Sequence, residues 1–218
     1  MTGFPGSPKL LRGGIVVLDQ DSGAVQRVIT LQYNPDSITR TLAIQAHGAG
    51  GGDLTEALRL KGPATETIKL EAELDAADYL EKPDESPDVV AFGLHPQIAA
   101  LEALANPTVA YLTAVHGRAG SGTLEIVPAT VPVTLFAWGG NRIQPVRLTD
   151  LSITEEAFDP RLNPIRAKIS LGLRVLTVAD VGFDNHTGTL FLSYLRSRES
   201  LAQKLPSGTL ANLGLGGL

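Results

Sequence analysis

The chain has 218 residues, of which 43% are apolar, and 18 basic against 23 acidic residues give it a formal net charge of -5. Length and apolar share fit one ordinary domain with a true core and exclude disorder along the whole chain. Cysteine is absent, which excludes disulfides, thiolate metal sites and cysteine nucleophiles, and the acidic balance argues against a dedicated nucleic-acid binder.

Residues 1–12 read as a flexible arm, and residues 1–14 contain no apolar run of the kind a secretory leader has. No apolar run reaches the length of a membrane-crossing helix. Ile15 to Leu18 is a short apolar strand, and Asp19-Gln20-Asp21-Ser22-Gly23 is turn chemistry, so a hairpin is expected. Val25 to Tyr33 continues with period two, broken at Arg27 and Val28. Asn34-Pro35 turns the chain, because Pro35 fixes its own φ and keeps Asn34 out of the α region. Ile38, Leu42, Ile44 and Ala46 then share one face of a further strand. His47 to Asp53 holds four glycines and reads as a loop. Ile68, Leu70, Ala72 and Leu74 alternate with Lys69, Glu71 and Glu73 in a second clear strand.

Asp75 to Pro87 is acidic and punctuated by proline, which predicts a surface excursion. Pro96 to Ala105 has Ile98, Leu101 and Leu104 at helical spacing, and Asn106-Pro107 ends that helix. Gly117 to Gly122 reads as a second loop. Val131 to Ala137 is a strand, and Trp138 to Asn141 a turn. Ile143 to Leu148 and Leu151 to Ile153 are strand segments whose phases differ, which predicts a bulge at Thr149-Asp150. After the two-proline loop Asp159 to Pro164 comes the longest alternation. Ile165, Ala167, Ile169, Leu171, Leu173 and Val175 face one way, with Arg166, Lys168 and Arg174 opposite. Leu190 to Leu205 reads as a terminal helix, followed by a Gly-rich end. The sum is seven or eight strands and one or two helices. Polar-out alternation of this kind favours antiparallel sheets, so a barrel or sandwich is expected.

No catalytic constellation emerges. His47, His95, His116 and His186 have no metal-ligand spacing. Glu155-Glu156 and the Asp75/Asp78 pair read as solvated charge at strand ends. Gly48 to Gly52 lacks the lysine of a phosphate loop, and Gly120-Ser121-Gly122 lacks the context of a nucleophile elbow. Arg166, Lys168 and Arg174 form a cationic stripe that could contact an anion or nucleic acid and that reads rather as a solvated strand face or an intersubunit salt-bridge surface. No cofactor and no enzymatic activity are expected.

Two segments carry a resemblance. Leu31-Gln32-Tyr33-Asn34-Pro35-Asp36-Ser37 resembles the Φ-Q-(F/Y)-N-P-x-S opening of the tube-protein family of contractile injection systems, the phage-tail-like particles. Pro132-Val133-Thr134-Leu135-Phe136-Ala137-Trp138-Gly139 is similar to that family's P-x-x-x-F-x-W-G strand. Phe158 to Ala167 resembles its F-x-x-x-G-x-P-x-R-A entry to the last long strand, and Ile68 to Leu74 falls where the family has L-x-F-x-L. The likeness covers most of residues 15–178. Asn163 stands where the family often has Gly, and it can still take a left-handed turn. Baseplate members often carry a LysM domain, and residues 181–218 show none.

The resemblance implies a mainly-β chain, an antiparallel barrel or sandwich of the tail-tube type. It would have one packed helix, a barrel domain over 13–180 and a helical tail over 181–218. It implies a structural role as a hexameric ring at the baseplate or the start of the inner tube, joining the spike hub to the tube. The alternative is the main inner-tube subunit that houses cargo. Its partners would be other copies, the spike or hub protein, and tube, sheath or baseplate-wedge subunits, without nucleic acid or membrane insertion. Assembly would be cytoplasmic, within a phage-tail-like particle of the kind that can be released outside the cell. The residues expected to make assembly contacts or pin the fold are Tyr33, Asn34, Pro35, Phe136, Trp138, Pro164 and Arg166. A third reading, from another class, is a β-barrel enzyme acting on carbohydrate or nucleotide. It would require a deep pocket with two carboxylates about 5–9 Å apart.

Overall fold

The computed structural model describes residues 11–20, 22–46, 59–120, 132–206 and 208–214. Seven strands follow one another as β1 (Gly14–Leu18), β2 (Val25–Thr30), β3 (Ile38–Ala43), β4 (Thr65–Asp75), β5 (Val133–Ala137), β6 (Ile143–Phe158) and β7 (Pro164–Val175). They form one sheet in the order β2-β1-β5-β6-β7-β4-β3, and every pairing is antiparallel. Six α-helical segments accompany them: α1 (Ala77–Leu80), α2 (Pro87–Phe92), α3 (His95–Ala105), α4 (Val109–Gly120), α5 (Val178–Val181) and α6 (His186–Ala202). The chain is therefore mainly β, as expected. Its edge strands β2 and β3 do not pair with each other, so the sheet is open by hydrogen bonding among the described residues.

The centre of the sheet follows from alternation. On β4, Ile68, Leu70, Ala72 and Leu74 are buried while Lys69, Glu71 and Glu73 are exposed. On β7, Ala167, Ile169, Leu171, Leu173 and Val175 are buried. β6 puts Val146 inward, slips register between Leu148 and Asp150, and then turns Leu151 and Ile153 inward. The bulge lies where the phase shift predicts it, because one extra residue is what moves an apolar face from even to odd positions.

The apolar face curls. Ile15 and Val17 of β1 share one core with Ile68 of β4 and Leu171 of β7, although three strands separate β1 from β4 in the sheet. Ile98 and Leu101 of α3, Val89 of α2 and Phe191 of α6 close this core. Phe136 is 1% exposed and stacks on Trp138 with ring centroids 6.1 Å apart. A side chain at Gly13 would collide with the Trp138 ring, so residue 13 has to be glycine for that pair to seat.

Several expectations are corrected. The chain has more helix than one or two segments. Residues 117–120 are helical within α4, not a loop, since Ala, Leu and Arg around Gly117 outweigh its cost of about 1 kcal/mol. Residues 121 and 122 lie outside the described residues, as do the arm over 1–10 and the glycine loop over 47–53. The terminal helix starts at His186, four residues before Leu190, because the Asn185 side chain caps it by accepting from Thr187 N at 2.8 Å. It ends at Ala202.

At the β6–β7 hairpin tip the left-handed residue is Leu162, with φ 66°, and not Asn163. Asn163 is occupied otherwise. Its backbone N and side-chain Nδ2 both donate to the Asp159 carboxylate, at 2.9 and 2.8 Å. Leucine in that conformation costs about 1 kcal/mol or more, and Leu162 is 76% exposed, so it buries little in return. Leu162→Gly is therefore expected to raise the melting temperature by about 2–4 °C, measured by calorimetry.

Candidate functional site

The motif Leu31 to Pro35 works as a junction between separate parts of the chain. Leu31 enters the core, and its backbone N donates to Gly13 O. Gln32 is 6% exposed. Its Nε2 donates to the Asp75 carbonyl at 2.8 Å, and its Oε1 accepts from Asp75 N at 2.9 Å. A primary amide thus stands in for a strand residue and ties the end of β2 to the end of β4. The Tyr33 hydroxyl donates to Asp78 Oδ2 at 2.6 Å, and Gln32 Nε2 reaches the same oxygen at 3.0 Å. Asn34 Oδ1 accepts from Gly13 N, and its Nδ2 donates to Leu11 O. The Leu31 backbone and three consecutive side chains, Gln32, Tyr33 and Asn34, therefore hold residues 11–13, the β2–β3 turn and the β4–α1 corner in one place.

The hydrogen bond from Tyr33 pushes that phenol up to about 12. The same bond, with that from Gln32, holds the Asp78 carboxyl below its ordinary value. The linkage has two signs. The Asp78 contribution is present above the ordinary carboxylate range and is lost as acid protonates it. The Tyr33 contribution is present below the ordinary phenol pKa and is lost as pH rises through about 12.

Beside this junction lies an open groove of about 840 Å³ on the polar face of β3, β4, β7 and β6. Tyr33, Asn34 and Pro35 form one wall, and Lys69, Glu71, Glu73, Lys168, Ser170, Ser152 and Thr154 lie along it. Register sets this composition: Glu73 stands opposite Lys168 and Thr154, and Glu71 opposite Ser170 and Ser152. Ion pairs span the strands. Arg166 holds Asp75 at 2.9 Å, and Lys168 holds Glu156 at 3.0 Å. Arg174 holds Asp180 at 2.6 Å. The cationic stripe is thus paired within the chain. Such exposed pairs set register and hydration of the face more than they add stability.

The predicted residues fall into two groups. Tyr33, Asn34 and Pro35 meet at the groove wall, and Arg166 is tied to Asp75 next to it. Phe136, Trp138 and Pro164 lie elsewhere and are packed. Pro164 is buried, and its carbonyl accepts from Leu94 N at 2.9 Å, docking α3 on the hairpin. Sequence reasoning quoted Gln32 but did not single it out. A long amide within an apolar run, next to Asn34, is the signal that a side chain is replacing backbone pairing.

The groove does carry two carboxylates on one strand face. Glu71 and Glu73 are two residues apart, so their Cα atoms are about 7 Å apart. Both are exposed, and the trough is open to water. The carboxyls with shifted pKa values all move down. Asp78 is lowered as described, and Asp159 by hydrogen bonds from Asn163. At Asp180 burial pulls upward, and hydrogen bonds from Thr177 together with Arg174 outweigh it. A general acid requires the opposite shift. Among the described residues no three His, Asp or Glu side chains are grouped to hold a metal ion. No single described helix is long and apolar enough to cross a membrane.

No family model matches the chain, and no curated protein matches it significantly. Two measurements test the junction. Gln32→Ala removes both bonds to Asp75 and leaves buried polar groups unpaired, so urea unfolding is expected to show a loss of about 2–4 kcal/mol. Tyr33→Phe removes the donor to Asp78, so the carboxyl carbon of Asp78 in an NMR titration is expected to move its midpoint up toward the ordinary aspartate value.

Proposed function

We propose that the chain is a structural subunit of a contractile injection system. It forms a ring at the baseplate or at the start of the inner tube and joins the spike hub to the tube. The observation that carries this reading is the pair of open sheet edges, taken with the motif resemblance. A bare edge strand offers unpaired N–H and C=O groups to another chain, and in this sheet both edges are apolar as well. β2 exposes Val25 and Val28, at 62% and 56%, and β3 exposes Leu42, at 53%, with Ile44 just beyond it. Two different edges on one subunit give a heterologous contact, which closes into a ring when the rotation per copy divides a full turn. Helix α4 adds support, since Val109 and Leu112 on it are exposed. Exposed apolar surface of this kind marks interaction sites.

In this reading the Leu31–Pro35 junction fixes the angle at which β3 leaves the body of the subunit. The polar groove faces away from the core as a hydrated surface. The role is mechanical, with other copies and neighbouring particle subunits as partners. Particle assembly would take place in the cytoplasm. The main inner-tube subunit is the same fold at another place in the particle.

Light scattering with negative-stain imaging of the purified chain tests the reading. Rings of about six copies are expected for an initiator, and long tubes for a main-tube subunit. Leu42→Lys places a charge on the open edge at an exposed position. It is expected to abolish rings while leaving the melting temperature within about 2 °C of the parent. A strict monomer at high concentration, alone and with particle components, would overturn the proposal.

A further inference from the structure

The molecule is polar from end to end along β4. At the N-terminal end of that strand Glu66 is 6% exposed, although it is ionisable. Arg40 of β3 donates to its Oε1, at 2.5 Å, and Gln144 of β6 to its Oε2, at 3.0 Å. Arg40 also donates to the Tyr194 hydroxyl at 2.9 Å. Arg198, one turn further along α6, lies over the Tyr194 ring at 5.3 Å and donates to the Asn141 carbonyl at 2.6 Å. The next residue is Arg142. Arg40 thus meets the Glu66 carboxylate, with Arg142 and Arg198 close by, so among the described residues three guanidinium groups stand near one carboxylate and leave a local charge of about +2.

Among the described residues this cluster is under-compensated. The Arg142 side chain has no hydrogen-bond or ion-pair partner among the described residues. Burial and the nearby Arg40 and Arg198 charges push its pKa down from the ordinary arginine value. Arg198 Nε is buried without a partner, and so is Gln144 Oε1. A half-buried excess of cations with an orphaned donor is the electrostatic form of a site that takes a carboxylate.

The other end of β4 carries the complement. Residues 75–88 hold six acidic residues and one lysine. Asp75, Asp78 and Glu85 are engaged with Arg166, Tyr33 and Lys82. Glu81, Asp84 and Asp88 are exposed and form no ion pair or side-chain hydrogen bond among the described residues. Nine residues of extended chain separate Glu66 from Asp75, so the two ends lie about 30 Å apart. The acidic segment of one molecule therefore cannot reach its own arginine cluster, whereas that of a second molecule placed end to end can.

We propose that the Arg40–Arg142–Arg198 cluster is a receptor for the acidic segment over 81–88 of a second copy, so that copies stack head to tail along β4. The contact rests on the main-tube form of the assembly reading above, in which copies follow one another along the axis, and names the surface that joins successive layers. A repeating contact of this kind is heterologous and adds copies without closing. It is also salt-dependent, because exposed carboxylates meeting guanidinium groups are screened beyond about 10 Å at 0.1 M salt.

The test is sedimentation and negative-stain imaging of the full chain at about 50 mM and about 500 mM NaCl. Axial stacking is expected at the lower salt and is expected to weaken at least about tenfold at the higher. Arg142→Glu and, separately, the pair Asp84→Lys with Asp88→Lys are each expected to weaken stacking at least about tenfold, and an equimolar mixture of the two variants to restore it. Among the described residues the Arg142 side chain makes no bond, so Arg142→Gln and Arg142→Glu are expected to melt like the parent, with Arg142→Gln weakening stacking less. Stacking that ignores salt and Arg142→Glu overturns the proposal, as does a mixture that restores nothing or a parent chain that never stacks. Rings that survive high salt while stacks dissolve sustain both readings. Stacks that dissolve directly to monomers sustain the end contact and sink the ring. Rings whose stacking is unaffected sink the end contact alone.

Discussion

The arrangement of the molecule depends on one amide. A seven-stranded antiparallel sheet that curls over its own apolar face must either close by strand pairing or hold its ends in some other way. Here the Gln32 side chain does the holding, by giving and taking one hydrogen bond with the backbone of Asp75. This contact costs little in chain length and leaves the hydrogen-bonding edges of β2 and β3 free among the described residues. A closed barrel would satisfy every strand but would have no edge to offer. Fastening the sheet by a side chain holds the curled sheet over its core without closing it by strand pairing among the described residues.

The elements that the sequence made legible are those buried on one face only. β4 and β7 alternate cleanly because one face meets the core and the other meets water. The bulge in β6 was legible for the same reason, since an inserted residue shifts the phase of burial. β3 shows where the reasoning stops. Leu42 alternates like a core residue, yet it is 53% exposed in the single chain. A residue kept apolar for the core and one kept apolar for a partner leave the same pattern. Helix α4 escaped because its only strong signal was its glycines, which read as a loop, while its apolar residues face no core.

The site was half legible. The order of polar residues in Gln32-Tyr33-Asn34 marked the segment as special, but the partners Gly13, Asp75 and Asp78 lie 21 to 46 positions away and share no local pattern with it. Phe136 and Trp138 stood out as residues to pin the fold or make contacts because large aromatics are scarce. Their actual constraint is the glycine at position 13, over which the Trp138 ring lies. Pro164 looked like a strand opener, and its carbonyl also docks α3. In each case the residue type was informative and its partner was not, because topology brings the two together.

The same topology sorts charge. Along the middle of the sheet each cation of β7 finds an acid: Arg166 with Asp75, Lys168 with Glu156, Arg174 with Asp180. That neutral face gains little stability from its pairs, but it prevents one polar face of the sheet from attracting another. The imbalance is displaced to the two ends of β4, with guanidinium groups in excess at Arg40, Arg142 and Arg198 and carboxylates in excess over residues 75–88. Strand direction separates the two by the length of β4, so neither can neutralise the other within one chain. On the proposed assembly, a subunit with a neutral flank, open edges and opposite charges at its ends would be satisfied by neighbours that share its orientation. Head-to-head contacts would bring like charges together and be disfavoured, so in that proposal the charge pattern would select a direction of assembly before any specific contact forms.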